Sequence, residues 1–251
     1  MRMFWTMMVA TATAALSYWV FEYWARWLHL ADPQFIALSL VVTVVVHELA
    51  HWALFEIQGV PSLLIFGTFI GGAITLPDKK RRIQKLSWNV LAAIYLVGVM
   101  ANLTSAVVFS VAGQFGFADA TKASRMMNLV GQISVVNLLP VRFLDGGGFA
   151  RVLFNSVPES RDMTFVRVIG LAVGLPVLVL AIGKSSTWLI LIAFLLLGLQ
   201  FFAKHDDPNG SASRLAMTER QQRGWAVCYT VCMLIGVLML AFTRKWAVRL
   251  P

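Results

Sequence analysis

The chain has 251 residues, 59% of them hydrophobic and 13% charged, and a mean hydropathy of +0.74. An ordinary soluble domain carries about 25% charged residues, so this composition excludes one and points to an all-α, polytopic membrane bundle. The net charge of +9 comes from 21 Lys and Arg against 12 Asp and Glu. These cations lie between apolar spans, where they orient the chain and meet the anionic headgroups of the lipid bilayer, so no nucleic-acid partner is expected.

In chain order, an apolar run over 3–21 ends in an aromatic belt of Tyr18, Trp19, Tyr23, Trp24 and Trp27, the mark of an uncleaved anchor where a helix leaves the bilayer. Glu22 and, after the second span, Glu56 read as interfacial carboxylates, and His29 and His205 as solvated loop residues. The second span, 35–55, holds His47, Glu48 and His51. The stretch 59–77 is apolar but short, bounded by Pro61 and Pro77 and interrupted by Gly67, Gly71 and Gly72, which predicts a re-entrant or strand-like loop. Further spans are expected at 86–111, 126–139, 165–182, 188–202 and 225–242. Cys228 and Cys232, four apart in the last of these, read as packing residues and not as a disulfide framework.

The whole chain, 1–251, thus reads as a single integral-membrane domain of six to seven spans, with 204–223 as a polar cytoplasmic linker too short to fold alone. With the N-terminus inside, twice as many lysines and arginines fall on the cytoplasmic side as outside, the sign the positive-inside rule expects, although starting outside with 59–77 as a span gives the same ratio. The expected location is a bacterial cytoplasmic membrane.

The chemistry begins at His47-Glu48-Leu49-Ala50-His51, an H-E-x-x-H motif in a continuous apolar helix. One helical turn brings positions i and i+4 to one face, so both imidazoles can reach a single Zn²⁺, with the carboxylate at i+1 beside it as a general base. Three ionisable groups in five residues are costly in lipid and mark a functional cavity. A catalytic zinc needs a third protein ligand, and Asp145 supplies the candidate, in the run from Asn137 through Pro140 and Arg142 to Gly146, Gly147 and Gly148. Pro140 must interrupt the helix, and the glycines would let the backbone turn sharply and approach the metal closely.

Depth ties these segments together. His47 lies about 18 Å into its helix, nearer the inner face if that helix runs inward. Asp145 reaches the same level only if its helix runs in the same direction, which requires that 59–77 not span.

His47-Glu48-x-x-His51, then Gly98-x-x-x-Asn102, then Asn137-x-x-Pro140 with Leu144-Asp145-Gly146-Gly147, resembles the site-2 proteases, intramembrane zinc metalloproteases. The resemblance covers 35–155 as the metalloprotease core of a member without PDZ or CBS domains. It implies one Zn²⁺ per chain on His47, His51 and Asp145, with Glu48 as the catalytic carboxylate. It also implies that Asn137 and Asn102 bind substrate or the oxyanion and that Pro140, Gly146 and Gly147 shape the site. Many members have an apolar residue where Arg142 stands and Arg where Gly148 stands, and Arg151 is a candidate to replace the latter. The implied substrates are membrane-anchored regulatory proteins, with selection residing in the membrane segments or in a regulatory membrane partner.

Two other classes fit parts of the pattern. One is a non-proteolytic zinc-containing membrane protein, for which Glu48 is dispensable. The other is a metal or proton transporter, which should leave a trail of polar residues across the bilayer.

Overall fold

The computed structural model describes residues 2–27, 29–30, 32–67, 72–77, 86–117, 119–139, 144–153 and 217–247. Among these are six helices and one two-stranded sheet: α1 (Arg2–Trp27), α2 (Pro33–Ile57), β1 (Ser62–Gly67), β2 (Gly72–Pro77), α3 (Trp88–Gln114), α4 (Ala120–Leu138), α5 (Asp145–Leu153) and α6 (Glu219–Ala247). The chain divides into two compact units, Met1–Ile83 with Val97–Val135 and Val231–Pro251, and Gln84–Leu96 with Val136–Thr230.

Among the described residues, three helices are long and apolar enough to cross a membrane: Phe4–Trp27, Pro33–Ile57 and Trp88–Gln114. They contain the first two expected spans and most of the third. Helices α4 and α6 fall where two more were expected. The expected spans 165–182 and 188–202 and most of the linker 204–223 lie outside the described residues. Along α1 the aromatic belt is outward-facing, with Trp19, Tyr23, Trp24 and Trp27 exposed, as lipid contact requires. Glu22, near the end of α1, is buried, and its Oε1 accepts from Arg26 Nη2 at 2.5 Å. His29 is an exposed loop residue with φ 53°.

In the first unit, α2 is closed at both ends by local chemistry. Asp32 caps its start, accepting from the Phe35 N–H, and Pro33 occupies the first turn, where its missing N–H costs nothing. At its end Gly59 takes φ +66°, the Gly59 N–H donates to the Glu56 carbonyl and the Val60 N–H to the Phe55 carbonyl. This is a Schellman closure, with Pro61 immediately after it to forbid continuation.

The chain then enters an antiparallel hairpin in which Ser62 pairs with Pro77 and Gly67 with Gly72. The strand-like alternative for 59–77 is therefore the one that forms, and the stretch does not span as a helix. Strand alternation turns Leu64 and Phe66 to one face, where they are buried against Ala10 and Ala14 of α1 and Val44, Val45, Leu49 and Trp52 of α2. Two side chains tie down strand backbone: Thr13 Oγ1 accepts from the Phe66 N–H at 3.2 Å and Glu56 Oε1 from the Ser62 N–H at 3.2 Å. Glu56 thus anchors the hairpin. A second cluster of this unit joins Ala106 of α3 with Met126 and Val130 of α4, and with Phe35 and Val42 of α2.

In the second unit, Phe149 of α5 stacks on Tyr229 of α6 at 5.1 Å and 4° and meets the edge of Trp225, whose Nε1–H donates to Asn89 Oδ1 at 3.0 Å. Helix α6 opens with a reciprocal capping box, Thr218 and Gln221 each accepting from the other's backbone N–H.

Among the described residues no atom lies within 4 Å of a Cβ built on Gly59, so the positive φ is what constrains this position there. Gly59→Ala should destabilise the protein by about 1 kcal/mol, and Gly59→Asn by less, because asparagine tolerates this conformation better. Denaturant unfolding in detergent reads both.

Candidate metal centre

The buried face of α2 carries Ser39, Thr43, His47 and His51 at four-residue steps. Thr43 satisfies its hydroxyl by donating to the Ser39 carbonyl at 2.7 Å. The two histidines are each 4% exposed and turn their Nε2 atoms toward one another at 3.0 Å, with the rings 4.7 Å apart and 71° from coplanar. Two nitrogens that share one ion at about 2.0–2.1 Å each come to a separation of this size. Glu48 follows directly, its Oε1 3.9 Å from His47 Nε2.

Helix α3 faces this pair with its own four-residue step, Gly98 and Asn102. A Cβ on Gly98 would overlap His51 Nε2 and lie 2.7 Å from His47 Nε2. Any side chain there would fill the space at the two nitrogens. Asn102 is fully buried and its amide meets His47 Nδ1 at 3.2 Å, on the side of the ring away from Nε2.

Asp145 opens α5 as the acidic residue of its first turn. His47 and His51, both in the first unit, are two ligand groups that could share one metal ion, and Asp145 is a carboxylate of the second unit. Two imidazoles and a carboxylate are a donor set that zinc accepts, and the glycine-lined space at the nitrogens suits an ion.

The glycines after Asp145 depart from their expected role. Positive φ among the described glycines is confined to Gly59 and Gly116, so Gly146, Gly147 and Gly148 make no sharp turn and continue as helix. Gly147 donates its N–H to the Leu144 carbonyl at 3.0 Å. A Cβ on Gly146 would strike the Leu138 and Leu139 carbonyls, and one on Gly148 would strike the Tyr95 ring. Their smallness admits these neighbours. Asn137 sits part-buried in the last turn of α4. Pro140, Arg142 and the side chain of Arg151 lie outside the described residues.

No protein-family model matches the chain, and no curated protein does. Its structure is similar to that of the Site-2 Protease from Methanocaldococcus jannaschii, with a TM-score of 0.54 and 18% identity over 78% of this chain and 91% of that one. The chain has a site-2 protease fold. The likeness extends well beyond the stretch 35–155 on which the motifs lie. With its apolar helices, the site-2 protease fold makes this an integral membrane protein.

Sequence reasoning passed over Tyr229. Helix α4 ends at Leu138, and the Tyr229 hydroxyl donates to the carbonyl of that last residue. A lone polar aromatic in an apolar helix was the one available signal. The partner of Glu56 is not legible in the sequence, because its hydrogen bond to Ser62 depends on where the chain turns after α2.

Gly98→Ala should prevent both imidazoles from holding one ion, lowering bound zinc at least tenfold in metal analysis of the purified chain. Tyr229→Phe leaves the Leu138 carbonyl without its donor and should cost about 1–3 kcal/mol in unfolding experiments.

Proposed function

We propose that the chain is a zinc-dependent intramembrane endopeptidase that hydrolyses peptide bonds in or near the transmembrane segments of membrane-anchored regulatory proteins. The observation that carries this reading is the pair of buried imidazole nitrogens 3.0 Å apart, with the Glu48 carboxylate 3.9 Å from one of them. The site-2 protease fold supports it. In this reading His47, His51 and Asp145 hold one zinc ion.

Zinc, when bound, supplies Lewis-acid polarisation of the scissile carbonyl and lowers the pKa of water toward about 7. Glu48 takes a proton from the attacking water and delivers it to the leaving amine nitrogen. The C–N bond thus breaks as the new C–O bond is kept, and the carboxylate is regenerated. Asn137 is placed here as a substrate or oxyanion contact. A substrate helix must unwind before attack, and the β1–β2 hairpin would offer backbone to the extended segment, favouring substrates with Gly, Pro or small residues. The N-terminus lies inside and the site nearer the cytoplasmic face of a bacterial membrane, with selection shared with a regulatory membrane partner.

The test is incubation of the detergent-purified chain with tagged single-span proteins, native against Glu48→Gln, with zinc measured in both. The expected result is about one zinc per chain in each and cleavage by the native chain alone, with a loss of at least a hundredfold in the variant. Equal cleavage by both would remove Glu48 from the chemistry, and zinc-loaded native chain that cleaves nothing would favour a non-proteolytic zinc protein.

A further inference from the structure

Asn102 is fully buried in α3, and its amide faces His47 across 3.2 Å through Nδ2, while its Oδ1 has no hydrogen-bond partner among the described residues. Both facts conflict with the chemistry proposed for His47. An imidazole that gives its Nε2 lone pair to a metal carries its proton on Nδ1, so Nδ1–H needs an acceptor. An amide nitrogen is a donor, and two donors 3.2 Å apart repel. A half-turn of the amide exchanges oxygen and nitrogen with almost no change of shape. It places Oδ1 against Nδ1–H, and the buried oxygen and the imidazole proton satisfy each other.

We infer that Asn102 is a positioning residue whose amide oxygen accepts the His47 Nδ1 proton, fixing the tautomer and ring angle that aim Nε2 at the metal. This rests on the metal reading above and replaces the substrate or oxyanion role implied for Asn102 by the resemblance. The two ring nitrogens point outward on opposite sides, so a group bonded to Nδ1 would lie about 7 Å from an ion held on Nε2. At that distance the amide cannot reach an oxygen held by the ion. Gly98, one turn earlier on the same face of α3, keeps open the space at the imidazole nitrogens while Asn102 holds the back of one ring. The i, i+4 pair of α3 thus complements the i, i+4 pair of α2.

Two measurements on the full chain in detergent test this. In zinc competition against a chromophoric chelator, Asn102→Ala should weaken binding about ten- to a hundredfold. Asn102→Asp, which keeps an acceptor and removes the amide donor, should stay within a few-fold of the native chain. Nitrogen NMR of the metal-free, histidine-labelled chain should find the proton of His47 on Nδ1 in the native and Asp variants, and on Nε2 in the Ala variant. Unchanged zinc affinity in Asn102→Ala would overturn the inference, as would an Asp variant as weak as the Ala one. A native chain that takes up no zinc would overturn the metal reading instead, and the NMR tautomer would still decide the role of Asn102. If Asn102→Ala does not fold, the Asp variant decides alone: wild-type zinc affinity with the Nδ1 tautomer supports the acceptor role, and loss of either removes it.

Discussion

A neutral imidazole has one nitrogen that donates and one that accepts, and inside an apolar bundle neither can be left to water. His47 and His51 place four such nitrogens on one buried face of α2, and the surrounding structure is arranged around giving them partners. Their Nε2 atoms face each other, Gly98 of α3 removes the one side chain that would fill the space beside them, and Asn102 closes the far side of His47. Removing a polar partner at this depth leaves a desolvated group, which costs more than the bond itself contributes. The same logic explains why Ser39 and Thr43, further along the stripe, remain benign. Thr43 bonds back to its own helix, so a stripe of polar residues on α2 need not be a conduit.

The rest of the first unit holds α2 in place around that face. Its end is closed by Gly59, its exit is redirected into a hairpin, and the hairpin is fixed by backbone hydrogen bonds to Glu56 and Thr13 as much as by Leu64 and Phe66. A sheet edge within an apolar environment is tolerable only when its N–H and C=O groups find partners. Here two side chains from helices supply part of that satisfaction, which leaves a sheet of only two strands compatible with a helical membrane protein.

The second unit solves a different problem. A helix that stops at Leu138 leaves carbonyls without partners, and Asp145 must begin a new helix a few residues later. Tyr229 from α6 answers the Leu138 carbonyl, its ring lies flat on Phe149, and Gly146 lets the new helix lie against the carbonyls at the end of the old one. The position of Asp145 is therefore set by the terminal helix as well as by its own motif.

What was legible in the sequence is what depends on helical period and on backbone stereochemistry. The i, i+4 spacing of His47 and His51 dictates a shared face whatever surrounds it, and Gly59 followed by Pro61 stops a helix in any context. Apolar length alone located the three described helices that are long and apolar enough to cross a membrane. What the sequence left open between re-entrant and strand-like at 59–77 was decided by packing against α1 and α2, because a short apolar run fits either until a neighbour takes up its backbone groups. The roles of Gly146 and Gly148 were legible only as smallness, since the atoms that require it, the Leu138 carbonyl and the Tyr95 ring, arrive from other helices. Tyr229 lies 91 residues from Leu138, and Asn102 lies 55 from His47. No local pattern encodes such pairs, because they exist only once separate helices have been brought side by side.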